Sequence, residues 1–356
     1  MGKGNGHRKQ PIPVQPRPNR LQQQPLLQHV PSLLDVMVDG REYVSIIDKL
    51  PLPGANLLDE VQRAIADISA IRGRPCIVYS GNVVKNDSGA SGVDQSDDLP
   101  FQEVVTSVRN DQTKVDILLS TRGGSGPQIA RFVDRLRARF EEVDFLIPSS
   151  CFSAGTLFAL SGDHIWMTPG ACLGPIDPQV PSSTGRFVPA QALKVLVEQC
   201  RVEGEEAMKK GQQVPWTAVQ IINTIDKREL GDAITATAYA TNLAAEYMCK
   251  YKFKHWTEHR SSGRPVTDDE RRARAFEIAE QLASHETWKS HSHAISREVL
   301  TRQTRLEIDH PAQDLHRALA RAWGLMTYIF ERTPIVKLIF SENYRYAKQD
   351  IPVGVA

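Results

Sequence analysis

Chemistry in this chain is most readily imagined around one serine, two adjacent glycines, one lysine and a late group of histidines. Ser153 stands in P-S-S-C-F-S-A-G-T-L-F-A-L-S-G, residues 148–162. The apolar run 143–147 reads as a short buried strand leading in, and the small and apolar residues after Ser153 read as a helix leading out. Where a strand hands over to a helix, the first backbone amides have no partners and the helix dipole is positive, so negative charge is favoured. A hydroxyl placed there can act as a nucleophile, with the Ala154 amide receiving the oxyanion it creates. The same position suits a helix N-cap, a role for which serine is equally well fitted.

The surroundings bear on that choice. The run 115–120 reads as a strand and ends in T-R-G-G-S-G, but neither G-x-G-x-x-G nor G-x-x-x-x-G-K-[ST] is present, which weakens a nucleotide site. Gly123 and Gly124 fall at the C-terminal end of one strand and Ser153 at that of the next, the edge where open α/β sheets bind ligands. An amide turned outward by Gly123 or Gly124, together with that of Ala154, would make a two-donor oxyanion hole. A serine nucleophile also needs a base. His164 lies beyond a helix of roughly 15 Å, at its wrong end, and His285, His291 and His293 form a polar turn that only tertiary folding can place. The first lysine after the serine is Lys194, set among Ala192, Leu193, Val195, Leu196 and Val197. Desolvated in that run it would be a neutral base; on an amphipathic helix it would instead reach out to water. Spacing leaves both open.

The elements that must hold these residues follow from periodicity. Leu57, Leu58, Val61, Ala64, Ile65, Ile68 and Ile71 recur at helical spacing, and a strand follows at 76–79. Residues 82–96 are rich in Gly, Ser, Asp and Asn and read as an exposed loop, with a short helix at 101–108 after it. Ile129, Phe132, Val133, Leu136 and Phe140 share one helix face between the strands at 115–120 and 143–147, and another strand follows at 164–167. Strand, helix, strand in repetition predicts a mainly parallel sheet covered by helices. Residues 170–188 read as a loop. Helices are expected at 189–210, 216–225, 230–253, 271–284 and 312–330, a polar exposed stretch at 258–270, and an apolar strand at 335–340.

Composition sets the outer limits. The chain has 356 residues, a formal charge of +1 and 41% hydrophobic residues, an ordinary globular make-up without a global nucleic-acid footprint. Five scattered cysteines, never in C-x-x-C spacing, argue against a disulfide framework or a zinc site and fit a reducing compartment. No apolar run approaches the roughly 20 residues of a membrane helix, and no signal-peptide segment is evident, so a cytoplasmic location is expected. Residues 1–34 hold Lys3, Arg8, Lys9, Arg17 and Arg20, no acid, and many Pro and Gln. They read as a disordered basic tail able to touch an anionic membrane surface at its periphery. Folded structure is expected from about Val36.

Three segments then carry a resemblance: L-L-S-T-R-G-G at 118–124, S-A-G with L-F-A-L-S-G-D-H-I-W-M after it from Ser153, and L-G-P-I-D-P-Q at 173–179. Together they resemble the SDH-type Clp-fold serine proteinases, relatives of signal peptide peptidase A and the NfeD-type peptidases. The stretch A-E-Q-L-A-S-H-E-T-W-K-S-H-S-H-A-I-S at 279–296 is similar to a further segment of that family. The resemblance implies a Clp/crotonase-like α/β fold of stacked β-β-α units, here with an extended helical C-terminal region. It implies Ser153 as nucleophile, Lys194 as general base, and Gly123, Gly124 and Ala154 as oxyanion-hole donors, with no metal or organic cofactor. A peptide or protein substrate and a homo-oligomer are implied with it. Where the family usually has Pro before the glycines this chain has Arg122, and Asp177 is expected to serve only turn formation between Pro175 and Pro178. On this reading residues 35–308 form the protease domain and 309–356 a helix-and-strand extension that oligomerises. Two rivals remain: a crotonase-like acyl-thioester enzyme, and a non-catalytic scaffold in which Ser153 only caps a helix.

Overall fold

The computed structural model describes Met1, residues 57–181 and residues 187–350; the expectations for the basic tail and for the start of folded structure lie outside the described residues. Helix α1 (Leu57–Arg72) buries Val61, Ala64, Ile65 and Ile68 from one face and leads into β1 (Cys76–Gly81). After a loop and a short turn capped by Asp94 come α2 (Asp98–Thr106), β2 (Lys114–Ser120), α3 (Gly126–Arg139) and β3 (Glu142–Ile147). The short β4 (Ser150–Cys151), α4 (Ala154–Leu160), β5 (His164–Met167) and β6 (Cys172–Leu173) follow. A hairpin of β7 (Gln179–Pro181) and β8 (Phe187–Pro189) opens the helical region of α5 (Ala190–Lys209), α6 (Trp216–Thr224) and α7 (Lys227–Tyr247). Then come α8 (Asp268–Ala283), α9 (His285–Trp288), β9 (Ile295–Ser296), α10 (Arg297–Val299), α11 (Gln313–Arg332), β10 (Ile335–Phe340) and β11 (Arg345–Gln349).

Six strands form the main sheet in the order β11-β10-β1-β2-β3-β5. Strands β1, β2, β3 and β5 run parallel, and β10 joins β1 antiparallel. The parallel strands are buried on both faces and so are mainly apolar, interrupted by the buried Asp116 of β2 and Asp144 of β3, which pair with Arg72. Ile77, Tyr79, Ile117, Leu119, Phe145 and Ile147 face α2, α3 and α4. There Phe101, Phe132 and Phe158 complete an aromatic core in which Phe101 and Phe132 stack at 3.9 Å between centroids. Val78, Leu118, Leu146, Leu338 and Phe340 face α1 and α11 on the other side. A second, three-stranded sheet of β4, β6 and β9 stands at the end of the first.

Two expectations need correcting. The segment from 309 onward is no extension: β10 lies between β1 and β11, and α11 packs with α1 over the same sheet. Its register partner is separated from it by most of the chain, which no local pattern reveals. The stretch 170–188 is also not plain loop, since it carries β6 and both strands of the hairpin.

Candidate active site

The end of β3 is turned into a nucleophile-like position by β4. Thr121 N donates to Ser150 O at 3.1 Å and Phe152 N to Thr121 O at 2.9 Å, which staples the end of β2 to the segment before Ser153. On the other side Gly174 N donates to Cys151 O at 2.8 Å, and the Thr156 hydroxyl lies 3.0 Å from Cys151 O and 2.9 Å from Gly174 O. Between these fixed segments Ser153 adopts φ 53° and ψ −120°, and its side chain makes no capping bond to α4. Ser125, at the start of α3, shows what a capping serine does here: φ −74°, ψ 111°, and a hydroxyl that accepts from Gln128 N at 3.2 Å. Ser153 therefore stands at the N-cap position, its carbonyl accepting from Leu157 N at 3.2 Å, but its hydroxyl does not cap the helix. A non-glycine residue at such a backbone angle costs on the order of 1–3 kcal/mol, and Ser153 is partly exposed.

The glycines press against this turn. Gly123 has φ 99° and Gly124 φ 137°. A Cβ on Gly123 would lie 2.7 Å from both Phe152 O and Ser153 Cβ, and 3.1 Å from Ala154 N, so only glycine brings the two loops together. A Cβ on Gly124 would run into the backbone of Val93. The Gly123 amide donates to Thr121 Oγ1 at 3.1 Å, whereas among the described residues no acceptor is recorded for the amides of Gly124 and Ala154. Arg122 is exposed and donates to Lys85 O at 2.8 Å, tying the glycine turn to the loop after β1. Beneath the serine, burial pushes the Cys151 thiol well up, so it packs as an apolar group.

Gly123, Gly124, Ser153 and Ala154 thus come together. Among the hydrogen bonds of the described residues, Lys194 is not bonded to Ser153; it lies on an exposed part of α5. Helix α5 buries Ala190, Cys200, Gly204 and Ala207 instead, so of the two orientations open in the sequence the solvent-directed one is adopted. His164 sits at the opposite end of β5 and pairs with Asp309 at 3.1 Å. His291 Nδ1 lies 2.9 Å from Asp177 Oδ1 and His285 Nδ1 3.7 Å from Oδ2, while the His293 ring packs 5.4 Å from Trp288. Asp177 is only 1% exposed, so its carboxylate does more than form a turn. Leu173 pairs with Ile295 in the β6–β9 ladder, and Asp177 and His291 lie equally far along from that pair. The aspartate and histidine are both present in the motifs, but nothing local aligns them. Among the described residues no group of three or more His, Cys, Asp or Glu is arranged to hold a metal ion, and no helix is long and apolar enough to cross a membrane.

One sequence comparison bears directly on this site. Residues 97–208 match the family of ClpP-like SDH-type serine proteinases. The matched region runs from the start of α2 into α5 and contains the glycine pair, Ser153 and Lys194. With it, the α/β architecture of that region is ClpP-like, and the resemblance to the SDH-type proteinases stands. Two uncharacterized proteins of Methanocaldococcus jannaschii are similar over short stretches. MJ0137 is 35% identical over 85 residues, 24% of this chain and 28% of that protein; MJ1495 is 28% identical over 81 residues, 22% and 28%. The matched stretch therefore spans 28% of the length of either relative. Among solved structures, a Lys-to-Ala mutant of the 1510-N membrane-bound stomatin-specific protease with a substrate peptide is similar at a TM-score of 0.35 and 19% identity, over 64% of this chain and 74% of that one. An enoyl-CoA hydratase/isomerase family member reaches 0.23 and 15%, over 57% and 87%.

Proposed function

We propose that the protein is a serine peptidase with Ser153 as its nucleophile. One observation carries the reading: a serine held in a strained backbone turn at the mouth of a helix, its hydroxyl not spent on capping, against a glycine pair that admits no side chain. In the reaction, the Ser153 hydroxyl attacks a peptide carbonyl and its proton passes to a base. The amides of Ala154 and of Gly124, or of Gly123 once it releases Thr121 Oγ1, take the tetrahedral oxyanion. The base returns the proton to the leaving amine, and water then cleaves the acyl-enzyme.

In this reading Lys194 is the base, as the family resemblance implies. Its exposed amine would have to be enclosed when substrate or a second copy of the chain covers α5, because burial favours the neutral form. A homo-oligomer is part of the proposal, in keeping with Val195, Leu196, Val202, Met208 and Trp216 exposed on α5 and α6. A second reading of the base draws on the buried Asp177 carboxylate, after β6, which lies 2.9 Å from Nδ1 of His291, before β9; β6 pairs with both β9 and β4. An imidazole steadied by a carboxylate is the other common partner of a serine.

A fluorophosphonate probe followed by peptide mass spectrometry tests both levels. The expected result is an adduct on Ser153 that is absent in Ser153→Ala. Loss of the adduct in Lys194→Ala but not in His291→Asn supports the lysine, and the reverse supports the histidine. No adduct on Ser153 in the folded parent protein would overturn the peptidase reading and leave a crotonase-like enzyme or a scaffold.

A further inference from the structure

Lys337 and Asp97 are a buried ion pair that the chemistry above does not use. Both are 0% exposed, and Lys337 interrupts the otherwise apolar β10. Lys337 Nζ lies 2.7 Å from each Asp97 oxygen and donates to Gly92 O at 2.7 Å. Asp97 Oδ2 also accepts from the Tyr79 hydroxyl at 2.7 Å and from Asp94 N at 3.1 Å. Every strong donor and acceptor in the cluster has a partner, which is the condition for such a pair to be tolerated at all. Packed apolar residues in place of both partners are often neutral in stability, so the pair points to a role in geometry.

That role is visible one residue beyond Gly92. Val93 N donates to Gly123 O at 2.8 Å, and Val93 O accepts from Ser125 N at 2.9 Å. The same Val93 backbone excludes any side chain at Gly124, and the Ser153 turn likewise excludes any side chain at Gly123. The glycine turn is thus gripped between Val93 on one side and the Ser153 turn on the other. Lys337 holds the Val93 side of that grip, reaching it from the central sheet through the Gly92 carbonyl. We propose that Lys337, through Gly92 O and Asp97, is a positioning residue that sets the Gly123–Gly124 amides against Ser153. The inference rests on the peptidase reading of Ser153.

The test is the rate at which the fluorophosphonate probe labels Ser153, separated into probe affinity and maximal labelling rate, with melting temperature measured alongside. Lys337→Met combined with Asp97→Asn removes the pair without stranding a charge. The expected maximal rate falls on the order of 100-fold, as for a group displaced by about 1 Å, with affinity within about 2-fold of the parent. Lys337→Gln with Asp97→Asn restores a donor for Gly92 O and is expected to recover most of that rate at the same melting temperature. A Met variant labelled as fast as the parent, or a Gln variant as slow as the Met variant, overturns the proposal. Should neither double variant fold, Tyr79→Phe decides, because it removes one donor from Asp97: slower labelling supports the proposal and an unchanged rate overturns it. A parent protein that is not labelled at all fails before any variant is made, and takes the peptidase reading down with this one.

Discussion

At Ser153 the backbone angle and the side chain make opposite demands on stability, and this can be measured. The turn at φ 53° and ψ −120° suits glycine, which reaches the mirror-image region without a Cβ clash. Ser153→Ala keeps the clash and loses the hydroxyl; Ser153→Gly loses both. Relief of strain on the order of 1–3 kcal/mol, less the roughly 0.5–1 kcal/mol that glycine's freedom in the unfolded chain costs, leaves the Gly variant more stable than the Ala variant by about 1 kcal/mol. Urea denaturation of the two checks this, and equal midpoints would mean that the serine carries no strain. Both variants should be inert to the fluorophosphonate probe. The residue types around Ser153 were legible in the sequence, because small side chains after an apolar run mark a strand–helix handover. The angle was not, since a serine before a helix suits either a capping or a strained turn, and it is the tertiary contacts of the Ser153 turn that impose the second.

Among the elements, β5 shows how an edge strand is closed off and where pH enters. It is the last strand of the sheet, and residue 309 lies along it: Asp309 N donates to Ile165 O at 2.8 Å and Met167 N to Asp309 O at 3.0 Å. The side chains repeat the link through His164 and Asp309. The bond to Asp309 raises the His164 pKa against the opposing effect of burial. Burial pushes Asp309 up, yet the bond from His164 and the charge of Lys252 hold its pKa below the ordinary value. The histidine contribution is present in full below its unfolded pKa of about 6.5 and is lost as pH rises through the raised folded value. The aspartate contribution is lost as pH falls through its lowered one. His164→Gln should therefore lower the melting temperature most in weakly acidic buffer, with the gap to the parent shrinking as pH rises through the raised folded value. Thermal melts of both proteins across that range decide it; a gap that widens with pH contradicts the pairing. Parallel strands such as β2 and β3 were readable because burial on both faces leaves a mainly apolar run, broken once in each by Asp116 or Asp144, and α3 because Ile129, Phe132, Val133 and Leu136 keep helical period. Strands β6 and β9 were not, since two residues carry no period, and with them went the meeting of Asp177 with His291.

For the molecule as a whole, the decisive feature is that the sheet is completed by the end of the chain. The apolar run 335–340 was legible as a strand, but its partner β1 lies hundreds of residues earlier, and its buried Lys337 had no local signal at all. Strand β10 sends Leu338 and Phe340 to the face covered by α1 and α11 and Ile339 to the opposite face. Burying four large apolar side chains (Val336, Leu338, Ile339, Phe340) contributes roughly 1.5–3 kcal/mol each, or on the order of 10 kcal/mol together, which is comparable with the whole stability of a typical domain. Removing them would also leave β1 as an open edge and Asp97 buried without its lysine. A chain ended after residue 333 is therefore expected to lose cooperative thermal unfolding and resistance to protease, although every residue of the candidate site is still present. An independent extension would behave otherwise: the shortened chain would melt cooperatively near the parent temperature and still be labelled at Ser153. Circular dichroism melts and limited proteolysis of the shortened chain separate the two, and retained labelling would also break the proposed link from Lys337 to the glycine turn.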